Sequence, residues 1–231
     1  MATAQSPKRV HQVAVLLYSG ADILDFAGPI EMLSHFTYNN SVTDREIAFK
    51  LHLVARTPTV LTGGCMTITA DGLISETIKR ISDFDILVVP GGMPSLLQGF
   101  ASENSPEYQF VKSFVDLPQK GTEERLLLSV CTGALLVAAT GAFGGLMATT
   151  HHKFYDLLTE IDQSIDLVNC IDSDGTMRYV DGGLKKDGLR VVSAGGVSCG
   201  MDAALFVGEL KVGREAAEVV AKMAEYNWKR V

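Results

Sequence analysis

Cysteine is scarce in this chain. Cys65, Cys131, Cys170 and Cys199 are scattered singly, and no CxxC pair occurs. No spacing of His and Cys matches a zinc site, and adjacent histidines such as His151 and His152 are expected to point their rings in divergent directions. Nor is a disulfide framework needed, because 231 residues at 47% hydrophobic can bury a full core. The four cysteines read as reduced thiols, and no metal is expected. Charge is also sparse. Charged residues make up 20% of the chain, with 27 acids against 20 bases and a formal net charge of −7. Without clustered Lys and Arg, a nucleic-acid partner is excluded, since the run "PKR" at 7–9 is too short to grip phosphates. Long apolar runs are missing as well. "DILVVP" is strand length, far below the roughly 20 residues that span a bilayer, and "MATAQSPKRVHQ" has no apolar signal core. A cytoplasmic protein without a membrane partner is expected. Linkers, repeats and low-complexity tracts are absent too, so one domain is expected over 10–231 behind a flexible tail at 1–9.

The segments that are present alternate. "HQVAVLLYSG", "FKLHLVAR", "DFDILVVPGG" and "RLLLSV" read as short strands, most of them buried, and "TGGCMTITADGLIS" as a turn with a small hairpin. A helix is expected from Pro29 onward with proline in its first turn, another over "SPEYQFVKSFVDL", and a loop over Met93 to Phe100. "LMATTHHKFYDLLTEI" reads as a short strand leading into a helix, "GTMRYVDGGLKKDGLRVVSAGG" as a hairpin, and the C-terminal segment as helices broken near Gly213. Strands alternating with amphipathic helices imply an α/β fold. The expected architecture is a single-domain three-layer sandwich, with a mostly parallel sheet and helices on both faces. In such sheets ligands bind beyond the carboxyl ends of the strands. Asp25, Gly91, Gly92, Cys131 and His151 all fall there.

Cys131 sits where "LLLSV" gives way to "TGALLVAATG". A thiol on that bend is either a small core filler or a nucleophile. As a nucleophile it would stand near unpaired N–H groups and a helix amino end, which favour thiolate. Asp25 reads either as a cap on the helix near Pro29 or as an acid beside that sulfur. His151 reads as a structural histidine or a catalytic one, and Pro-Gly-Gly as a tight turn or a source of N–H donors.

Four motifs in order, "LYSGADILDFAGPIEML", "VVPGG", "SVCTGALLVAATG…ATTHH" and "SAGGVSCGMDAAL", resemble the ThiJ/PfpI superfamily, most closely its isonitrile (isocyanide) hydratase branch. The resemblance runs from about Gln12 to Trp228 and implies a flavodoxin-like, class I glutamine-amidotransferase-like fold. It implies that Cys131 is the reactive thiolate and Asp25 the proton donor beside it. It further implies a cofactor-independent lyase that hydrates a small electrophile through a thioimidate, and a homodimer. Thr132 stands where peptidase-like and many glyoxalase-like relatives carry His, so it offers a hydroxyl and an N–H but no base. His151 matches a histidine found at that strand end in other branches. Gly91 and Gly92, with the N–H of Thr132, are expected to stabilise charge on a substrate atom. Gly195, Gly196 and Val197 are expected to form a pocket wall, with Cys199 as packing. Two alternatives stay open: a glutathione-independent glyoxalase or deglycase acting on 2-oxoaldehydes, and a non-enzymatic redox-sensing stress protein. Some relatives are fused to helix-turn-helix readers. No such reader is expected here, and gene regulation is not expected.

Overall fold

The computed structural model describes residues 8–230 apart from 42, 120, 122 and 171–176. Residues 1–7 of the expected tail and the first two of the "GTMRYV" segment therefore lie outside the described residues. Lys8 and Arg9, also assigned to the tail, are tied by ion pairs, Lys8 to Glu46 and Arg9 to Asp85 and Glu123.

In chain order the elements are β1 (His11–Leu17), α1 (Ile23–Ser34), β2 (Phe49–Ala55), β3 (Thr59–Thr62), β4 (Met66–Thr69), β5 (Gly72–Leu73) and α2 (Ile74–Thr77). A 3₁₀ turn at Ile78–Asp83 leads to β6 (Ile86–Val89), α3 (Pro94–Ser102), α4 (Pro106–Val115), β7 (Arg125–Val130) and α5 (Gly133–Ala139). Then come β8 (Met147–Ala148), a 3₁₀ turn at His152–Phe154, α6 (Tyr155–Ile161), β9 (Asp166–Leu167), β10 (Tyr179–Leu184), β11 (Leu189–Ala194), α7 (Cys199–Lys211) and α8 (Arg214–Met223). Seven strands form one sheet in the order β10-β11-β7-β6-β1-β2-β5. Every pairing in it is parallel except β10 with β11. β3 and β4 make the expected hairpin, and β8 pairs with β9.

All four residues of β6, the last five of β1 and the last five of β7 are buried. That explains their unbroken apolar runs, since a parallel sheet covered on both faces has no polar side to show. The helices form two packed groups. α1 lies against α7, which carries α8, and α5 joins α3, α4 and α6. Among the described residues no helix is long and apolar enough to cross a membrane.

Two expectations about helices are corrected. α1 begins at Ile23, six residues before Pro29, which lies inside the helix. Pro29 lacks the N–H that would bond the carbonyl of Asp25, yet the helix runs through it because its apolar face packs on α7. A Cβ on Gly200 would meet the Pro29 ring at 3.3 Å, and one on Gly28 would meet Met201 at 2.9 Å. The segment 93–100 is a helix rather than a loop. Pro94 opens α3 at its first position, and Leu97 and Phe100 share its buried face.

The direction of the chain reverses between β1 and β6. From β1 it steps outward to β2 and β5, then returns to add β6, β7, β11 and β10 on the other side. A crevice at the carboxyl ends of the strands follows at that point.

Candidate active site

Three connections meet at that crevice. The first leaves β1. The Tyr18 hydroxyl donates to the carbonyl of Pro90 at 2.6 Å, Ala21 bridges to Gly92, and the Asp22 N–H donates to the carbonyl of Gly91 at 2.9 Å. The β1 and β6 ends are thus stitched together, and Asp25 in the first turn of α1 is carried under the stitch. It is fully buried. Its Oδ2 accepts the Gly91 N–H at 3.0 Å. Its Oδ1 is buried without a hydrogen-bond partner, and the carboxyl interacts with the Cys131 thiol. Burial, followed by the charge of Asp22, pushes the Asp25 carboxyl up to about 7, although Gly91 and Cys131 pull the other way.

The second connection is the β7–α5 bend, whose apex is Cys131 at φ 56°. A left-handed backbone on a non-glycine residue is a strained conformation that only a well-anchored turn holds. The anchors are visible. The Cys131 N–H is shared between the carbonyls of Ala194 and Gly195 at 3.1 and 3.0 Å, and its own carbonyl accepts the Thr150 hydroxyl at 2.8 Å. Gly133, next along, has to be glycine, since a Cβ there would lie 2.3 Å from the carbonyl oxygen of Val89. Cys131 is 3% exposed. Its sulfur receives the backbone N–H groups of Thr132 and Val197.

The expected resting thiolate is corrected here. Burial, then the charge of Asp25, pushes the Cys131 thiol up to about 12, outweighing the two N–H groups. Among the described residues no lysine or arginine is a leading influence on the pair. Two groups so close titrate as one unit. As pH rises through about 7 the pair passes from two protons to one, which sulfur and Asp25 then share.

Thr132 is buried, and its hydroxyl is committed. It donates to the Gly92 carbonyl at 2.7 Å and accepts the Gly92 N–H at 2.9 Å. The expectation that Gly91 and Gly92 offer free N–H groups to substrate is therefore corrected, because Asp25 holds one and Thr132 the other. Their smallness serves the approach of three segments. A Cβ on Gly91 would lie 2.7 Å from both Asp25 Oδ2 and Thr132 Oγ1. The N–H groups aimed at the Cys131 sulfur come from Thr132 and Val197.

The third connection, β11–α7, repeats the bend. Val197 has φ 44°, which turns its N–H toward the sulfur. Gly195 donates to the Arg178 carbonyl at 3.0 Å, and its missing side chain leaves room for the Cys199 sulfur, 3.2 Å from where a Cβ would sit. Cys199 is buried, and burial pushes its thiol up to about 11, which fits packing. A cavity of about 150 Å³ beside it is lined by Gly195, Gly196, Thr150 and Arg178 among others.

His151 does not hydrogen-bond to Cys131 or Asp25. Its Nδ1 accepts the Lys153 N–H at 3.3 Å, and its ring lies where a Cβ on Gly196 would meet it at 2.6 Å. The rings of His151 and His152 stack at 4.4 Å, contrary to the expected divergence, because the chain turns from extended backbone into a 3₁₀ turn between them. Burial lowers the His151 pKa, so the ring is neutral at pH 7.

One member of the cluster escaped the sequence. The carboxylate of Asp22 lies with those of Asp25 and the Cys131 sulfur, all within 4.8 Å of one another. Among the described residues this is the one group of His, Cys, Asp and Glu side chains spaced closely enough to ligate a cation. The available signal was the D-x-x-D spacing at a helix start, which reads equally as an ordinary cap.

The chain is similar to several known proteins. The isonitrile hydratase of Pseudomonas putida is 27% identical over 218 residues, covering 93% of this chain and 78% of that protein. Among solved structures, a ThiJ/PfpI family protein from Pseudomonas syringae superposes with a TM-score of 0.72 at 21% identity, covering 98% of this chain and 82% of that one. Drosophila melanogaster DJ-1beta does so with a TM-score of 0.68 at 18% identity, covering 95% of this chain and all of the other. The model of the DJ-1/PfpI family matches residues 11–205, and the chain belongs to that family.

Proposed function

We propose that this protein is a lyase that hydrates a small isocyanide to an N-substituted formamide, with Cys131 as nucleophile and Asp25 as proton carrier. The observation that carries the reading is the buried thiol–carboxylate pair itself. The sulfur has the buried Asp25 carboxylate as a side-chain partner for proton transfer, with Asp22 in the same cluster, and the Asp25 carboxyl is tuned to about 7. A general base near the working pH combines ionised form with proton affinity. Similarity to an isonitrile hydratase supports the choice of electrophile.

The chemistry balances with water as the sole co-reactant. Asp25 takes the thiol proton as sulfur bonds to the terminal carbon of R–N≡C, then returns that proton to the same carbon, leaving R–N=CH–S–Cys131. Water adds to this thioimidate, with Asp25 accepting one of its protons and the nitrogen gaining one. The C–S bond then breaks, sulfur recovers its proton, and R–NH–CHO departs. Negative charge appears on sulfur twice, on attack and on leaving, and both times the N–H groups of Thr132 and Val197 face it.

Incubation of the protein with a simple alkyl isocyanide and, separately, with methylglyoxal distinguishes the candidate chemistries. Formamide without lactate is expected. Lactate without formamide would replace the hydratase reading with the glyoxalase one. Turnover of neither, with peroxide oxidising Cys131 ahead of Cys65, would favour redox sensing.

A further inference from the structure

Asp22 occupies the N-cap of α1 with extended backbone, φ −70° and ψ 128°, the position from which an aspartate ordinarily accepts an N–H of the helix's first turn. It makes no such bond. Its backbone N–H goes to Gly91 and its carbonyl accepts the Asp25 N–H at 3.2 Å. Its carboxylate, without a hydrogen bond or ion pair among the described residues, joins the Asp25 and Cys131 cluster instead. Unlike those two buried residues it reaches solvent. An exposed carboxylate that forgoes its cap bond thus stands beside a buried thiol and carboxyl.

We propose that Asp22 makes the mouth of this site a charge filter, admitting neutral or cationic electrophiles to Cys131 and rejecting anionic ones. The inference rests on Cys131 being the reacting atom, as in the function proposed above, and it narrows the substrate class to uncharged isocyanides over those bearing a carboxylate.

Among the described residues no ion pair offsets the charge. From the end of β1 comes the Tyr18 phenol, held neutral by burial and by Asp25 and Asp22. From α1 comes Asp25, and from the β6 end only the backbone of Gly91 and Gly92. From the turn after β8 comes His151, neutral at pH 7, with His152 and Lys153 beyond it acting on His151. From the β11–α7 bend comes the uncharged Val197. Arg178, just before β10, donates to Asp202 at 2.6 Å and to Ser198 at 2.6 Å. An anion approaching the sulfur therefore meets Asp22 across a few ångströms of poorly screened space.

Alkylation tests the filter without reference to turnover. Iodoacetamide and iodoacetate differ by one negative charge, and exposed Cys65 provides an internal reference in the same chain. Peptide mass analysis after timed labelling gives the iodoacetate-to-iodoacetamide rate ratio at each thiol. At low salt the ratio at Cys131 is expected to fall about 10-fold or more below that at Cys65, and to rise as salt is added. Asp22→Asn is expected to remove most of the difference and Asp22→Glu to keep it. Equal ratios at the two cysteines, or a ratio unmoved by Asp22→Asn, would overturn the filter. Iodoacetamide labelling of Cys131 without isocyanide turnover would sink the hydratase reading and leave the filter standing. A Cys131 that neither reagent reaches would overturn both.

Discussion

Cys131→Ala is expected to cut turnover of an isocyanide by at least about 10⁴-fold, because it removes the atom that carries the substrate through the reaction. The folded state should scarcely notice. The strain at Cys131 lies in its backbone, at φ 56°, and alanine inherits that backbone with the same three anchors. The volume lost is one sulfur atom beside a crevice, so stability should change by no more than about 1 kcal/mol. Circular-dichroism melting and product analysis on the same preparation check both halves. A cysteine that merely fills the core would reverse the pattern, with a lower melting temperature and activity intact.

Asp25→Asn is expected to move stability and activity in opposite directions. The carboxyl is fully buried and its pKa is raised to about 7. Below about pH 4 it is protonated in both the folded and the unfolded chain and costs nothing. As pH rises toward 7 the unfolded chain ionises while the folded chain resists, so stability is lost through that window. Above 7 the loss is complete, at about 4 kcal/mol. Asparagine can still accept the Gly91 N–H and never ionises. At about pH 8 the variant should melt roughly 10 °C above the parent, with the gap closing near pH 4. Melting curves across pH test this, and equal curves at alkaline pH would mean that Asp25 is not held in a low-dielectric site. A residue whose removal stabilises the fold and disables the chemistry is the signature of a functional site.

Much of this was legible in the sequence, and for identifiable reasons. The apolar runs of β1, β6 and β7 announce a parallel sheet because buried strands carry no polar face, and the turn residues between Leu184 and Leu189 mark the β10–β11 hairpin. The bend at Cys131 shows itself as a change of period. What the sequence hid was burial and orientation. Pro29 reads as a helix start, since nothing local reveals that α7 holds the preceding turn. Gly-Gly-Met-Pro masks the helix that begins at Pro94. The N–H groups of Gly91 and Gly92 seem free until Asp25 and Thr132 are seen to hold them. The thiolate expected from the helix end fails because desolvation outweighs two N–H groups. Asp22 was overlooked because an aspartate before a helix ordinarily needs no further explanation.

The shared proton is the centre of the account, and the dependence of kcat/KM on pH reads it directly. In the free protein the competent pair holds one proton, so kcat/KM for an isocyanide should rise with pH through about 7 as Asp25 ionises and then stay level, the thiol lying near 12. In Asp25→Asn the rise should vanish, leaving a rate lower by about 100-fold or more. A profile that is flat for the parent, or one whose rise survives unchanged in Asp25→Asn, would contradict it.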